Sequence, residues 1–496
     1  NYLCNKYLKY IHSTSKMFEY KEIYSKETLI SCIILLDQIP RHYKRLGYDI
    51  NVDEYSINAA KFSDYILTLY STSLLTYDEL CFVYLPYRHL KRIEKIYEII
   101  NIFINLYNNA DDTNKAKCKR YLYATLNNIY KDINKKSLNN NLYIKSWNYL
   151  NKSIFDKQSL KFNENFKYDI QENIIYNTIY NEYIKLNSKS KIIISLSGGV
   201  DSIVALYILS KITDNLIAVH INYNNRKESQ DELNFVNYYC NFLGVKLVYR
   251  TIKEIKRKDC LDNGLRDMYE EITKKIRYDM YNLLKDENNA YVLLGHNKDD
   301  CFENIITNIA NNNNYENLSG MEIITKIDNI NYWRPMLDIS KNEIISFANN
   351  NNIPYLKDST PKWSARGKIR DVIRPALCNL KNSENIISAF FDLKDHLKNS
   401  NNLINDLVLN NLVEKFNNNY SYSKNELNSF KYINISTLFF KKINIKISFK
   451  AIKEFCYYIE NVLNNTSRKK IILSKCYNIS VIKKDENSYY IELHNN

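Results

Sequence analysis

Residues 192–202 read Ile-Ile-Ile-Ser-Leu-Ser-Gly-Gly-Val-Asp-Ser, and this stretch decides the fold of the central part of the chain. It opens with the apolar, β-branched run of a buried strand, and a helical pattern follows directly at 203–212. Between them, Gly198 and Gly199 carry no side chains, so backbone N–H groups can face an anion at the positive end of the helix. The stretch therefore predicts a phosphate-binding loop between a strand and a helix.

Neighbouring side chains can add to such a site. Ser197 and Ser202 supply hydroxyl groups, while Asp201 could cap the helix or hold Mg²⁺ beside the phosphates. The alternative is a tight turn in which Asp201 is only a structural cap. The complete string favours a nucleotide site that also includes Val200. It lacks the Gly-Lys-Ser/Thr ending of a Walker A loop, and it is not the Gly-x-Gly-x-x-Gly of dinucleotide sites.

The same alternation of short strands and amphipathic helices continues after the loop. We predict strands at 192–196, 216–221, 245–252 and 291–295. This order predicts βαβ units in a doubly wound parallel sheet with helices on both faces. Ligands of such sheets bind at the carboxyl ends of the strands, where His220 and His296 lie. Each is either a residue of the nucleotide pocket or an ordinary histidine at a strand end.

The flanking regions have different patterns. Apolar residues at spacings of three and four predict helix after helix near the N-terminus. Near the end of the chain we predict helices at 389–415 and 449–463 and short strands at 470–474, 479–484 and 489–493. We expect four segments: an all-α module at 1–150, a helical connector at 151–188, the α/β domain at 189–380, and a small α/β domain at 381–496.

Composition limits the class of protein. Lys and Arg number 69 against 55 Asp and Glu, and a net charge of +14 suits a nucleic-acid partner without proving one. The ten cysteines form no Cys-x-x-Cys pair, which argues against a zinc ribbon or a disulfide framework and favours a reducing compartment. No apolar run approaches the roughly 20 residues that span a bilayer. We expect a cytoplasmic protein, or an organellar one if a targeting peptide precedes Asn1.

A second motif follows the last predicted strand. Residues 293–304 read Leu-Leu-Gly-His-Asn-Lys-Asp-Asp-Cys-Phe-Glu-Asn. Asp299, Asp300 and Glu303 would gather at a strand-to-helix junction, where they could hold a divalent cation or a substrate amine. The alternative is that the carboxylates only complement the dipole of the first helical turn. With the phosphate loop upstream, we favour the functional interpretation.

Both motifs resemble those of a known superfamily. The string at 192–202 resembles the pyrophosphate loop of the PP-loop, or N-type ATP pyrophosphatase, superfamily, whose members cleave ATP between the α and β phosphates and adenylate a substrate oxygen. The second motif resembles the G-H-x-x-D-D-x-x-E-T motif of the tRNA-modifying members. This resemblance implies ATP and Mg²⁺ as cofactors.

Further matches, in the same order along the chain, resemble the tRNA(Ile)-lysidine synthetase family over 189–380. Residues 270–278 are similar to its E-x-x-A-R-x-x-R-Y helix, with Lys274 in place of the first arginine. The other similar segments are 317–321, 333–337, 340–344, 357–360 and 366–370. Two of these segments depart from the family pattern, with Thr360 and Gly367 where it has Asn.

The resemblance implies that ATP activates the C2 oxygen of the wobble cytidine in an isoleucine tRNA, and that the amine of free lysine then displaces AMP. The implied partners are a tRNA anticodon loop and free lysine. The implied catalytic residues are Asp201, Asp299, Asp300 and Arg277, with Mg²⁺ on Asp201 and Asp300. The implied ATP contacts are Ser197, Gly198, Gly199, Val200, Asp201, Ser202, His220 and His296; the implied substrate contacts are Glu270, Lys274, Glu303, Asp358, Arg366 and Arg370.

Two alternatives to this function remain. One is another PP-loop reaction on tRNA, such as thiolation, although Cys301 has no cysteine partner nearby in the sequence. The other is a scaffold protein whose synthetase domain has decayed. The intact loop and acidic motif argue against decay.

The flanking segments carry weaker signals. Residues 34–41 and 82–89 resemble motifs of a tetratricopeptide-like helical family of unknown function. Asp37, Arg41 and His89 could form a polar site there, but a buried network between helices is the favoured interpretation. We expect this module to contact protein or RNA. The C-terminal lysines and the cluster 468–470 either bind tRNA or are simply solvated.

Overall fold

The structure is a computed structural model of the 496-residue chain. It describes residues 10, 11, 14, 24–144, 146–162, 173–186, 190–285, 290–311, 320–358, 364–380, 385–464, 470–486 and 488–495. Contacts divide the chain into two compact units. The first comprises 1–296 and 323–358, and the second comprises 297–322 and 359–496.

A six-stranded sheet forms the centre of the first unit. Its strands are β1 (Lys191–Ser195), β2 (Leu216–Asn222), β3 (Lys246–Thr251), β4 (Ala290–Leu293), β5 (Ile324–Ile327) and β6 (Ile330–Trp333), in the spatial order β3-β2-β1-β4-β6-β5. The pairings among β1, β2, β3 and β4 are parallel, as predicted, and β6, which was not predicted, adds a further parallel strand beside β4. Only β5 runs antiparallel, because Asp328 and Asn329 form a two-residue hairpin turn with positive φ angles of 48° and 63°.

Helices cover both faces of the sheet, which explains why β1 is apolar at three successive positions. Ile192 and Ile194 belong to one core, whereas Ile193 belongs to another, and all three are fully buried. The helices that follow or precede these strands are α6 (Ile174–Ile184), α7 (Val200–Leu209), α8 (Ser229–Phe242), α9 (Arg257–Asp262), α10 (Arg266–Leu284) and α12 (Lys341–Asn350). The predicted doubly wound architecture is confirmed.

The N-terminal part of the first unit is helical, as predicted. Its main helices are α1 (Lys26–Arg45), α2 (Val52–Leu69), α3 (Tyr77–His89), α4 (Ile93–Asn109) and α5 (Asp112–Ser137). Their core is continuous with apolar residues between Ile252 and Ile276, which include those of α10. The helices therefore pack directly on the α/β part of the unit, while the expected domain boundaries at 150, 188 and 380 stay predictions.

The polar residues singled out in this helical part form a buried network, which confirms the favoured interpretation. Asp37 is 1% exposed and accepts hydrogen bonds from Ser56 Oγ at 3.1 Å and from His89 Nδ1 at 2.8 Å. Arg41 Nη2 donates to Ser56 Oγ at 2.8 Å. The network thus joins α1, α2 and α3.

The second unit contains helices and a small antiparallel sheet. Its helices are α11 (Lys298–Ala310), α13 (Ala365–Lys368), α14 (Arg374–Asn379), α15 (Asn385–Ile404), α16 (Asn410–Asn417), α17 (Lys424–Ser429), α18 (Ile433–Lys442) and α19 (Phe449–Leu463), and its strands are β7 (Ile471–Ile472), β8 (Tyr477–Lys483) and β9 (Tyr489–Asn495). Two π-helical turns, Ile369–Ile373 and Asn405–Leu409, interrupt the helical runs. The expected mixture of helices and short strands at the end of the chain is confirmed, while the bounds 381–496 stay a prediction. In the described part of the chain, every helix is too short or too polar to cross a bilayer.

Candidate functional site

The predicted phosphate loop has the expected strand–loop–helix form. β1 ends at Ser195, and α7 begins at Val200 with Gly199 as its N-cap. Gly198 has a φ of +90°, a conformation that side chains disfavour. A Cβ atom at Gly198 would also clash with Leu356, whose backbone N–H donates to the Gly198 carbonyl at 3.0 Å. The shape of the loop therefore requires glycine at position 198.

The hydroxyl groups of Ser197 and Ser202 hydrogen-bond to backbone groups of the loop itself. Ser202 Oγ accepts from the Ser197 N–H at 3.2 Å and donates to the Gly199 carbonyl at 3.0 Å. Ser197 Oγ in turn accepts from the Gly199 N–H at 3.3 Å. The two hydroxyl oxygens thus accept hydrogen bonds from backbone N–H groups of the loop. A bound phosphate oxygen could accept from the same N–H groups in their place.

Asp201 forms an ion pair with Lys341, a residue that the sequence analysis did not select as part of the site. Its Oδ2 atom lies 2.5 Å from Nζ of Lys341, the first residue of α12. Lys341 lies in the segment 340–344, whose resemblance to the family assigned no role to this lysine. The signal that could have selected Lys341 is its place at the start of the helix that follows β6.

The end of β4 also approaches the loop. A Cβ atom added to Gly295 would lie 3.1 Å from the Ser202 backbone nitrogen and 3.3 Å from Asp201 Cβ. These distances are shorter than most Cβ contacts, so a side chain at this position would require the neighbouring backbone to shift by a few tenths of an ångström. The backbone that leads into the second motif therefore contacts the start of α7.

The two predicted histidines contact different groups. His220 is 5% exposed, and its Nδ1 lies 2.8 Å from the Leu196 carbonyl at the entrance to the loop. Burial lowers the pKa of His220, which favours a neutral ring that donates from Nδ1. His296 Nδ1 accepts from Arg334 Nε at 3.2 Å. That either ring contacts a nucleotide stays a prediction.

Arg277 on α10 is surrounded by tyrosines. Its Nη1 lies 3.5 Å from the Tyr223 hydroxyl, and its guanidinium carbon lies 5.7 Å from the centre of the Tyr278 ring. Burial lowers the pKa of Arg277, but Tyr223, Tyr281 and Tyr278 outweigh burial and raise it overall. Tyr281 also donates to Ser195 Oγ at 2.7 Å, which ties α10 to the end of β1. Within the described residues Arg277 forms no ion pair, so its positive charge is available to an anion.

Three other predicted residues of the first unit are more exposed. Glu270 Oε1 accepts from Arg266 Nε at 2.8 Å, and both side chains are more than half exposed. Lys274 Nζ lies 5.3 Å from the Tyr278 ring centre. Asp358 lies on the surface. The described contacts do not bring Glu270 together with Arg277.

The acidic motif begins α11 in the second unit. Asn297 is the N-cap, and its Oδ1 accepts from the Asp300 N–H at 3.1 Å, while Asp300 Oδ2 accepts from the Asn297 N–H at 3.1 Å. Asp300 therefore completes a capping box at the start of α11, a structural role in the first helical turn, where the alternative interpretation placed the carboxylates. Glu303, one turn later, is 3% exposed.

All three carboxylates of the motif form ion pairs with arginines. Arg366 pairs with Asp300 and also with Glu303, the latter at 2.7 Å; Arg370 pairs with Glu303 at 2.9 Å; and Arg374 pairs with Asp299. The arginines are four residues apart, which places them on one face of a helical segment. Sequence reasoning missed Arg374, although the repeat of four from Arg366 and Arg370 could have indicated it.

Few of the described side chains near the loop and the acidic motif are placed to act as ligands of Mg²⁺. In the described part of the chain, no three His, Cys, Asp or Glu side chains converge as ligands of one ion. Asp201 faces Lys341 and Asp300 faces Arg366. Mg²⁺ commonly takes one or two carboxylates together with substrate phosphates and water. Asp201 by itself could supply one such carboxylate beside a bound nucleotide, and the assignment of Mg²⁺ to Asp201 and Asp300 stays a prediction.

Comparison with known proteins tests these inferences. Residues 169–380 match the family model of the PP-loop domain. This part of the chain is similar to the PP-loop domain. The match extends on both sides of the loop at 197–202 and includes the acidic motif and the arginine-rich segment. The superfamily resemblance read from the motifs is confirmed.

Curated relatives match the PP-loop domain and its surroundings. The tRNA(Ile)-lysidine synthase of Mycoplasma mycoides subsp. mycoides SC is 28% identical over 292 residues, which is 58% of this chain and 66% of the relative. The tRNA(Ile)-lysidine synthase of Borreliella afzelii is 28% identical over 329 residues, which is 62% of this chain and 72% of the relative. The chain thus spans about two thirds of the length of these relatives.

A solved structure, the U34-tRNA thiolase NcsA from Methanococcus maripaludis with its [4Fe-4S] cluster, aligns with 45% of this chain and 78% of its own. The TM-score is 0.37 and the sequence identity 20%.

Some matched segments lie outside the described residues. They include 317–319 of one turn, Thr360, and the basic residues Arg468 and Lys469.

Proposed function

We propose that this chain ligates lysine to the wobble cytidine of an isoleucine tRNA, with ATP converted to AMP and pyrophosphate. The observation that carries the proposal is the glycine-dependent loop at 197–202, at the start of α7 in a PP-loop domain. The curated relatives named above support lysidine formation as the reaction.

The loop suits the first step, in which the cytidine C2 oxygen attacks the α-phosphorus and pyrophosphate leaves. Negative charge grows on the leaving pyrophosphate, and backbone N–H groups at the start of α7 can stabilise it. Lys341 and Arg277 bring further positive charge to the same unit. Asp201, together with phosphate oxygens, would hold a Mg²⁺ ion that neutralises part of the phosphate charge.

The acidic motif suits the second step, in which the amine of lysine attacks C2 and AMP leaves. The amine must lose a proton before it attacks, and a carboxylate such as Asp201, Asp299 or Asp300 can accept it. Each of these carboxylates faces a lysine or arginine side chain in this structure. The substrate ammonium would therefore exchange places with a cationic side chain of the protein.

The partners follow from the same chemistry. The cytidine must leave its stack to react, and single-stranded anticodon loops permit this at modest energetic cost. We assign tRNA contact to the basic C-terminal domain, where Lys470 is exposed, and protein or RNA contact to the N-terminal helices. Sulfur transfer is less well supported, because Cys301 is fully buried within α11.

The proposal is tested by measuring tRNA-dependent and lysine-dependent release of pyrophosphate. We expect Asp201→Asn to lower the rate by at least about 100-fold, comparable to the loss of one group that stabilises transition-state charge. Asp267→Asn is the control, since Asp267 is an exposed carboxylate in the first turn of α10. Normal release by Asp201→Asn would refute the assignment of the loop.

A further inference from the structure

Arg334 is a buried arginine at the end of β6 whose contacts fix its orientation. It is 8% exposed, its backbone N–H donates to the Ile323 carbonyl at 2.8 Å, and its Nη1 donates to Thr325 Oγ1 at 2.7 Å. Its Nε points to His296 Nδ1 at 3.2 Å. The hairpin of β5 and β6 thus holds one guanidinium N–H against the histidine ring.

This contact determines which ring nitrogen of His296 carries the proton. A guanidinium has five N–H donors and no acceptor, so His296 Nδ1 must accept through its lone pair. The ring proton is then on Nε2. A doubly protonated ring would place two donors face to face and lose the hydrogen bond.

His220 has the opposite arrangement. Its Nδ1 lies 2.8 Å from the Leu196 carbonyl, which can only accept, so the ring proton is on Nδ1. His220 lies within β2 and His296 follows β4, the two strands on either side of β1. Their backbone surroundings therefore assign them different tautomers.

The position of His296 in the fold indicates which group its Nε2–H donates to. It directly follows Gly295, whose backbone approaches the Ser202 nitrogen and Asp201 at the start of α7. A neutral ring with a fixed N–H donor suits an oxyanion at this edge of the sheet, whereas a ring that accepts a proton needs a free lone pair.

We propose that Arg334 is a positioning residue that holds His296 as a neutral Nε2–H donor to a phosphate oxygen of the nucleotide. On this assignment His296 is not the base that deprotonates the attacking amine. The inference rests on the proposed function for the identity of the ligand, but the tautomer itself does not depend on any activity.

The tautomer can be measured without a reaction. Long-range ¹H–¹⁵N correlation spectra of the full chain, with histidine ring nitrogens labelled, distinguish protonated from unprotonated ring nitrogens. The chain has seven histidines, and the His296→Gln and His220→Gln spectra assign the two signals. We expect His296 protonated at Nε2 and His220 at Nδ1. In Arg334→Met we expect His296 to gain the Nδ1–H form while His220 stays unchanged.

A wild-type spectrum with His296 protonated at Nδ1 would overturn the inference, whether or not the chain makes lysidine. Loss of lysidine formation with the expected spectrum would instead count against the proposed function alone. The spectrum therefore separates the two failures.

Kinetics then test the donor role. The side-chain amide of Gln can replace Nε2–H, whereas that of Asn lies nearer the position of Nδ1. We expect His296→Asn and Arg334→Met to raise the KM for ATP by about 10-fold or more, as for a lost hydrogen bond to a charged group. His296→Gln and Arg334→Lys should each recover part of this loss. Equal loss in His296→Gln and His296→Asn would contradict the donor role.

Discussion

Gly198 determines the shape of the phosphate loop through its backbone conformation and its contact with Leu356. Gly264 also has a positive φ, of +72°, but a Cβ atom there would meet open space. We expect Gly198→Ala and Gly264→Ala each to cost roughly 1 kcal/mol or more of unfolding free energy from backbone strain. Only Gly198→Ala should also abolish pyrophosphate release, because its side chain displaces the loop. Equal activity of the two variants would show that the loop does not bind the reacting phosphates.

Glu426 provides a test of acid stability in the second unit. Burial raises its pKa, but Lys415 and the backbone and side chain of Ser423 outweigh burial and lower the pKa to about 2. A lowered pKa in the folded state means that the stabilisation is present above the ordinary value of about 4.3 and is lost as the pH falls toward 2. We expect Glu426→Gln to reduce the free energy of unfolding by about 1 kcal/mol at pH 7 and by less at pH 3, measured by urea denaturation. A difference of the same size at both pH values would contradict this account.

The helical segment that carries Arg366, Arg370 and Arg374 can be tested as an element. Glu303 is buried, so removal of Arg370 leaves a carboxylate with fewer partners in a poorly hydrated site. We expect Arg370→Ala to destabilise the second unit by more than about 1 kcal/mol. Arg266→Ala is the matched control, because its pair with Glu270 has the same spacing on α10 but is exposed and should contribute less than about 0.5 kcal/mol. Equal effects in urea denaturation would mean that the arginine pairs are only surface contacts.

The sequence was a good guide to elements with a clear hydrophobic period. The helix predicted at 449–463 is observed as Phe449–Leu463, and the predicted strands of the parallel sheet agree with β1, β2, β3 and β4 to within two residues. β5 could not be predicted, because most of its residues are exposed and show no buried alternation. The predicted strand at 470–474 is only two residues long, Ile471–Ile472, because only these two residues are in register with β8. Leu473 and Ser474 instead both donate their N–H groups to the Tyr477 carbonyl.

Local pattern also explains which parts of the site were found. The loop and the acidic motif are contiguous, and each carries its chemistry within a few residues. Lys341 and Arg374 meet Asp201 and Asp299 across 140 and 75 residues of sequence, respectively. Such pairs depend on tertiary packing, which leaves no periodic trace in the sequence.

At the scale of the whole molecule, the N-terminal helices belong to the same packed body as the PP-loop sheet. Asn134 on α5 is fully buried; it accepts from Arg250 Nε at 3.0 Å and donates to the Ile276 carbonyl at 3.0 Å and to Asp279 at 2.9 Å. Arg250 itself forms a fully buried pair with Glu254. The helices therefore support α10, which carries Arg277.

We predict that Asn134→Leu lowers the free energy of unfolding by about 1–3 kcal/mol, because Arg250 and Asp279 lose a buried partner. Asn140→Ala is the control: the Asn140 side chain makes one exposed hydrogen bond to the Tyr249 carbonyl at 3.3 Å, and its loss should have little effect.

Because the N-terminal helices pack on the sheet, a fragment of residues 189–380 should bind ATP weakly or fail to fold. A stable fragment with normal ATP affinity would show that the N-terminal helices are dispensable.

The central claim is that the chain joins lysine to a cytidine of tRNA at the expense of ATP. The most direct test is mass spectrometry of nucleosides from an isoleucine tRNA incubated with the full chain, ATP, Mg²⁺ and isotope-labelled lysine. We predict a cytidine derivative that carries the label and is absent without ATP or with Asp201→Asn. Pyrophosphate release without labelled nucleoside, or a modified nucleoside without the label, would contradict the claim.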